Sequence, residues 1–153
     1  MKVSIITVVW NNKETIKTSI DSVLGQVYKD IEYIVIDGGS TDGTVDVVKD
    51  YGSRIDKFIS EPDNGIYDAM NKGVRLATGD VIGFINSDDL LNSEDCIECI
   101  VKRFVESDAD IVYGDKVYVA SNNISKQLRY WKAGVFARNN YKKGWMPLHL
   151  STY

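Results

Sequence analysis

The feature that most constrains this sequence is an alternation in which short, β-branched apolar runs give way, again and again, to stretches with helical spacing. Val3–Val9 (VSIITVV) is apolar on both faces, as a strand covered on both sides of a parallel sheet must be. Trp10, Asn11 and Asn12 come next, either asparagine being suited to cap a helix. Ile16, Ile20, Val23 and Leu24 then fall on one helical stripe. The unit recurs. Strands are predicted over Ile31–Ile36, Lys57–Ile59, Val81–Ile85 and Ile111–Tyr113. Helices are predicted over Gly43–Tyr51, over Gly65–Ala77 (closed by the glycine at position 79) and over Ser93–Val105 with Ser93 as N-cap. Right-handed βαβ crossovers make this an α/β fold, a doubly wound and mostly parallel sheet with helices on both faces. The 153 residues suffice for one such fold with a sizeable core, and no apolar run is long enough to cross a bilayer. The first strand-like segment lacks the charged region and cleavage site of a secretory signal, so the cytoplasm is the expected compartment, and two cysteines, too few for a disulfide framework, agree with it.

Beyond Asp115 the alternation stops. Lys116–Leu128 reads as one long strand or two short ones around Ser121, Asn122 and Asn123. The charge changes too: all 22 carboxylates lie in residues 1–115, whereas Lys116 to Tyr153 carries seven Lys and Arg and none. The formal net charge of −4 therefore hides an acidic and a basic face, the latter either simply solvated or drawn to phosphates or an anionic membrane. The last residues, with Trp145, Met146, Leu148, Leu150 and Tyr153, are expected either to dock on the body or to need covering by further chain.

Ligands of open parallel sheets bind beyond the carboxyl ends of the strands, and here those ends are polar. Asp37 leads into Gly38-Gly39-Ser40-Thr41-Asp42-Gly43, where a carboxylate can accept from a base N–H or a ribose hydroxyl, or merely cap the turn. The loop has neither G-x-G-x-x-G spacing nor a P-loop lysine. Asp88 and Asp89, adjacent at another strand end, repel each other unless a cation or ligand hydroxyls intervene, which points to Mg²⁺ or Mn²⁺ with substrate phosphates. The alternative is a cap for the next helix. Cys96 and Cys99 lie within a predicted helix and read as packing, and one histidine, His149, cannot form a histidine metal cluster. The nine tyrosines lack RNA-binding signatures, so no nucleic-acid partner is expected.

The ordered series TVVWN (Thr7–Asn11), DGGSTDGT (Asp37–Thr44), EPDNGIYDAMNKG (Glu61–Gly73), ATGDVIGFINSDD (Ala77–Asp89) and YGD (Tyr113–Asp115) closely resembles family 2 of the inverting glycosyltransferases, with the GT-A fold. GWMPLH (Gly144–His149) resembles a further block of one bacterial subgroup. The resemblance implies a metal-dependent inverting transfer of sugar from a nucleotide diphosphate sugar to a hydroxyl of a glycan or lipid-linked acceptor, in surface polysaccharide synthesis. It implies residues 1–115 as the nucleotide-sugar-binding domain and residues 116–153 as the incomplete start of an acceptor-side region. The basic tail would give peripheral contact with the inner face of the membrane. By motif, Thr7 and Asn11 would line the nucleoside pocket, and Asp37 would hold base or ribose. Asp68 and Asn71 would face the donor, while Asp88 and Asp89 would hold ribose and metal (Mn²⁺ or Mg²⁺). Asn86 stands where many relatives carry the first Asp of a D-x-D motif.

The family's general base is usually an Asp lying beyond these blocks, and no carboxylate is found after Asp115 here. His149 is the one candidate replacement; otherwise the chain is a non-catalytic nucleotide-sugar-binding module or a truncated remnant. General-base catalysis is worth about 10²–10⁴ in rate, so donor binding with little or no transfer is expected of these 153 residues. Transfer and donor hydrolysis by this chain, by His149→Ala and by a version extended to typical family length test it. Robust transfer by the unextended chain refutes the expectation, and its loss in His149→Ala identifies the base.

Overall fold

The computed structural model of the chain describes residues 1–145 and 151–153. The elements are β1 (Val3–Val9), α1 (Lys13–Leu24), β2 (Ile31–Asp37), α2 (Thr44–Lys49), β3 (Lys57–Ser60), α3 (Ile66–Leu76), β4 (Val81–Phe84), α4 (Cys96–Ser107), β5 (Lys116–Ala120) and β6 (Asn123–Trp131). The first four strands form one sheet in the order β3-β2-β1-β4, each neighbouring pair parallel. In register, Val9 stands beside Asp37 and Asp37 beside Ser60, so these carboxyl ends finish on one edge.

All seven residues of β1 are buried, and the period of two along a strand divides the core between two layers. Val3, Ile5 and Val9, with Tyr33 and Val35 of β2, pack against Ile16, Ile20 and Val23 of α1, Val48 of α2 and Ile97 and Phe104 of α4. Ile6, Val8, Ile34 and Ile36 face the other way, against Ala69 and Met70 of α3. The predicted stripe of α1 is thus the face it buries, worth roughly 1.5–3 kcal/mol for each fully buried side chain. On the opposite layer Gly73 lets α3 lie directly on β1, since a Cβ there would come within 2.5 Å of Ile6 Cγ2.

Helix starts are secured by distant partners. Asn12 is the N-cap of α1 but its side chain makes no cap bond; instead the Asn12 N–H donates to Thr44 Oγ1 (3.0 Å) and the Lys13 N–H to Asp42 Oδ2 (3.0 Å). Helix α4 begins at Cys96, not Ser93, with Asp95 as N-cap. The Ser93 hydroxyl is turned onto the Asp95 carboxylate, and Gln26 supplies the cap: its amide donates to the Ser93 carbonyl (2.7 Å) and its Oε1 accepts the Ile97 N–H (3.0 Å).

The predicted parallel strand Ile111–Tyr113 is instead a short antiparallel bridge, Tyr113 to Thr152. Val112 and Tyr153 exchange backbone bonds of 3.0 and 2.8 Å, and the Gly114 N–H donates to the Ser151 carbonyl at 2.9 Å. Tyr153 then lays its ring on Gly83 of β4, where any Cβ would overlap it, and burial pushes its phenol pKa up. Of the two expectations for the apolar end, docking on the body is the one seen for Tyr153. Lys116–Leu128 resolves into two strands, β5 and β6, paired antiparallel as a separate hairpin.

At the amino ends of the strands, Glu32 is 4% exposed and holds five donors. Lys57 Nζ (2.8 Å), Lys2 Nζ (3.4 Å) and the Thr78 hydroxyl (2.9 Å) donate to Oε1; the Ser4 hydroxyl (2.6 Å) and the Thr78 N–H (2.7 Å) donate to Oε2. Burial alone would raise its pKa, but the bonds from Lys57, Ser4 and Thr78 outweigh it and hold the carboxyl well below the usual carboxylate range. Its ionised form is therefore bound more tightly in the folded state. That stabilisation is complete above the unfolded carboxylate pKa of about 4.3 and is lost as pH falls towards the folded value. Glu32→Gln should cost about 2–3 kcal/mol at neutral pH by leaving buried donors unmatched. In urea denaturation the gap between variant and parent should narrow on moving from pH 7 to about pH 3; a gap independent of pH refutes this account.

Candidate functional site

Three polar strand ends meet at the carboxyl edge of the sheet around a cleft of about 270 Å³. Val8, Val9 and Trp10 come from β1, Asn86, Ser87 and Asp88 from the turn after β4, and Asp63, Ile66 and Ala69 from the start of α3 and the loop before it. Trp10 is 68% exposed, which leaves one face of a large aromatic ring open to a ligand.

Asp37 is fully buried at the end of β2. Its Oδ2 accepts from the N–H groups of Gly39 (3.0 Å) and Ser40 (3.0 Å) and from the Ser60 hydroxyl (2.7 Å), so it shapes the 38–43 loop and ties it to β3. Among the described residues its Oδ1 is buried without a hydrogen-bond partner, and so is Asn86 Oδ1. A buried acceptor left unmatched costs about 1–3 kcal/mol, so these two oxygens keep capacity for a further donor. Gly39 takes a positive φ of 84°, and a Cβ on Gly38 would come within 2.5 Å of Asp63 Oδ2, which sets Asp63 against the Asp37 loop.

Asn11 serves this loop too. It adopts φ 47°, a left-handed conformation that asparagine tolerates better than most residues. Its N–H donates to Ser40 Oγ (2.7 Å) and its Oδ1 accepts the Thr41 N–H (2.8 Å), fastening the loop to the end of β1. Thr7 lies away from the cleft: it is fully buried, and its hydroxyl bonds the Tyr33 hydroxyl at 3.0 Å inside the core.

Helix α1 braces the turn that carries the acidic pair. The Asn12 amide donates to Ser87 Oγ (2.9 Å), the Thr15 hydroxyl to the Ser87 carbonyl (2.7 Å) and the Ser19 hydroxyl to the Asn86 carbonyl (3.0 Å). The two neighbouring carboxylates then diverge. Asp88 is exposed in the cleft, whereas Asp89 forms an ion pair with Lys116 at 3.3 Å. Asp68, in the first turn of α3, accepts the Asn64 N–H (3.1 Å) and faces Lys72 at 3.8 Å, closing the 61–65 loop; Asn71 is exposed further along α3. His149 lies outside the described residues. Asp115 accepts from the Tyr130 hydroxyl and from the Ala133 N–H (2.8 Å), which holds its carboxyl below the usual range and ties the root of the hairpin.

Among the described residues no three His, Cys, Asp or Glu cluster as a metal cage. Asp63 and Asp88 both line the cleft, and a carboxylate there fits a hard cation whose coordination is completed by phosphates, the arrangement usual for Mg²⁺. Sequence reasoning did not single out Trp10 or Asp63 as site residues. Position along the chain was the available signal for both, since Asp63 comes three residues after β3 ends and Trp10 directly after β1.

The family profile described as Glycosyl transferase family 2 matches residues 4–152. The chain belongs to that family. A PGL/p-HBAD biosynthesis glycosyltransferase of Mycobacterium bovis is 31% identical over 153 residues, covering 87% of this chain and 60% of the relative. The glycosyltransferase GlyA of Streptococcus pneumoniae is 31% identical over 116 residues, 74% of this chain and 16% of that protein. The chain thus spans well under the full length of these relatives. Among solved structures, S. aureus TarS 1-349 in complex with UDP-GlcNAc superposes with a TM-score of 0.71 at 23% identity, over 80% of this chain and 36% of that one. The mannosyltransferase PcManGT of Pyrobaculum calidifontis, in complex with GDP-Man and Mn2+, gives 0.68 at 23% identity, over 81% and 37%. At these identities the likeness is one of fold, and the fold is GT-A.

The two site carboxylates should respond oppositely to truncation. Asp37→Ala strands three donors and should cost about 2–4 kcal/mol, while Asp88→Ala, exposed, should stay within about 0.5 kcal/mol. Thermal melts of both variants check this, and equal melting temperatures would contradict it.

Proposed function

We propose that this chain forms the donor-binding part of a metal-dependent inverting glycosyltransferase. It would bind a nucleotide diphosphate sugar and serve transfer of the sugar to a hydroxyl of a glycan or lipid-linked acceptor in surface polysaccharide synthesis. The observation that carries the reading is the pair of buried, unmatched oxygens of Asp37 and Asn86 at the same sheet edge as the cleft-facing Asp88. A nucleoside offers the missing donors, as base N–H and ribose hydroxyls, and a diphosphate supplies the oxygens that a cation at Asp88 lacks. Support also comes from family membership and from the nucleotide sugars held by TarS and PcManGT on the same fold.

In this reading Asp37 Oδ1 accepts from the base or ribose, Trp10 covers a planar face of the nucleoside, and Asn86 takes a ribose hydroxyl. Asp88 is the principal cation ligand, with Asp89 free to join when it releases Lys116. Asp68 and Asn71, on α3 across the cleft, are assigned to the sugar side of the donor. When bound, a divalent cation neutralises the negative charge that grows on a departing nucleoside diphosphate. Inversion results from one in-line displacement at the sugar carbon, with the acceptor hydroxyl giving up its proton to a base.

Calorimetric titration with UDP and GDP, each with Mn²⁺ and with excess chelator, is the test. Binding should require the cation, and Asp88→Asn should weaken it at least about tenfold, more than Asp89→Asn does. Equal affinity in chelator overturns metal dependence, and failure of both nucleotides to bind overturns the donor site.

A further inference from the structure

The β5–β6 hairpin is built unlike the rest of the molecule. All nine residues of β6 are exposed, although the strand carries Ile124, Leu128, Tyr130 and Trp131. Ile124, Leu128 and Tyr130 are 57%, 62% and 52% exposed, with Lys126 among them, along a strand whose pairing with β5 shifts register on either side of Gln127. The Arg129 guanidinium lies 4.7 Å over the Trp131 ring, and nearer the root Lys116 Nζ lies 5.4 Å from the centre of the Tyr118 ring. Val135, shortly after the strand, is 86% exposed. A water-facing strand would not keep this many apolar side chains bare, and the cations interleaved with them have no carboxylate neighbours in sequence beyond Asp115.

We propose that this hairpin docks on the surface of an anionic lipid bilayer. The chemistry matches on each count. Aliphatic side chains enter the acyl boundary, tyrosine and tryptophan sit at headgroup level, and Lys126, Arg129 and Lys132 meet the phosphates. A folded partner protein would need carboxylates at fixed positions, whereas a bilayer only needs cations and aromatics along one exposed edge. The distribution of charge also orients the molecule: all 22 carboxylates precede Lys116, so an anionic surface attracts the hairpin and repels the body. The Asp89–Lys116 ion pair fixes the hairpin root beside the turn that presents Asp88, so docking of the hairpin tethers the cleft near the membrane. For what docking achieves, delivery of donor to a lipid-linked acceptor, the inference rests on the proposed transferase; the docking itself does not.

The experiment is co-sedimentation of the full chain with vesicles of phosphatidylcholine alone and of phosphatidylcholine with phosphatidylglycerol, at low and high ionic strength. The chain should bind only the anionic vesicles, and less at high salt. Lys126→Ser with Arg129→Ser should weaken binding roughly 25-fold, about fivefold for each charge, and Ile124→Ser with Leu128→Ser at least about fivefold. Unchanged melting temperatures and unchanged UDP or GDP binding in the same variants separate docking from folding and from the donor site. Vesicle binding without nucleotide binding leaves docking standing and removes the transferase reading. Equal binding to neutral vesicles, no binding to either, or full binding by both double variants overturns the proposal. So does a dimer in sedimentation velocity that the apolar variant abolishes while vesicles capture nothing, since the face is then covered by a second copy.

Discussion

Everything else in this structure is arranged around β1, a strand buried on both faces. It pairs with β2 over its whole length and with β4 over Val3–Ile6, and it gives its side chains to the two layers above and below. Its two ends are the only places where polar chemistry can be presented. The parallel arrangement then sends every carboxyl end to one edge, and a site assembled there needs no more than short loops.

The two ends of the sheet treat their charges in opposite ways. At the amino end Glu32 is buried but receives Lys57, Lys2, Ser4 and Thr78, drawing β1, β2, β3 and the approach to β4 together. At the carboxyl end Asp37 is buried as deeply, yet one of its oxygens is left unmatched, as is that of Asn86. Full satisfaction gives rigidity; partial satisfaction leaves binding capacity. The second arrangement is tolerated because the first, together with the two apolar layers, holds the sheet in place.

Neighbouring residues of one type separate into distinct duties for equally local reasons. Asp88 points to the cleft and Asp89 to Lys116, because the turn after β4 is clamped by three bonds from α1. Asn11 and Asn12 likewise part: one fastens the Asp37 loop, the other reaches Ser87. Asp63 approaches Gly38 because a glycine there leaves the room. The hairpin departs from the pattern of the core, since its apolar residues are displayed where those of β1–β4 are enclosed.

By itself the sequence determined the parallel α/β fold, the edge at which the polar strand ends gather, the stripe of α1 and the family, because each depends on local periodicity or on ordered motifs read along the chain. It also marked Asp37 and the adjacent pair Asp88 and Asp89 as candidates through their position at strand ends. Only the tertiary structure decided that Thr7 bonds Tyr33 in the core, that Asn11 fastens a loop, that Asp89 pairs with Lys116 and that Gln26 caps α4 from another element. The antiparallel pairing of residues 112–114 with 151–153 and the seat of Tyr153 on Gly83 belong to the same class. The reason is physical: periodicity reports which side of an element is buried, whereas the partner of a hydrogen bond or ion pair is set by which distant segments the completed fold brings within about 3–4 Å.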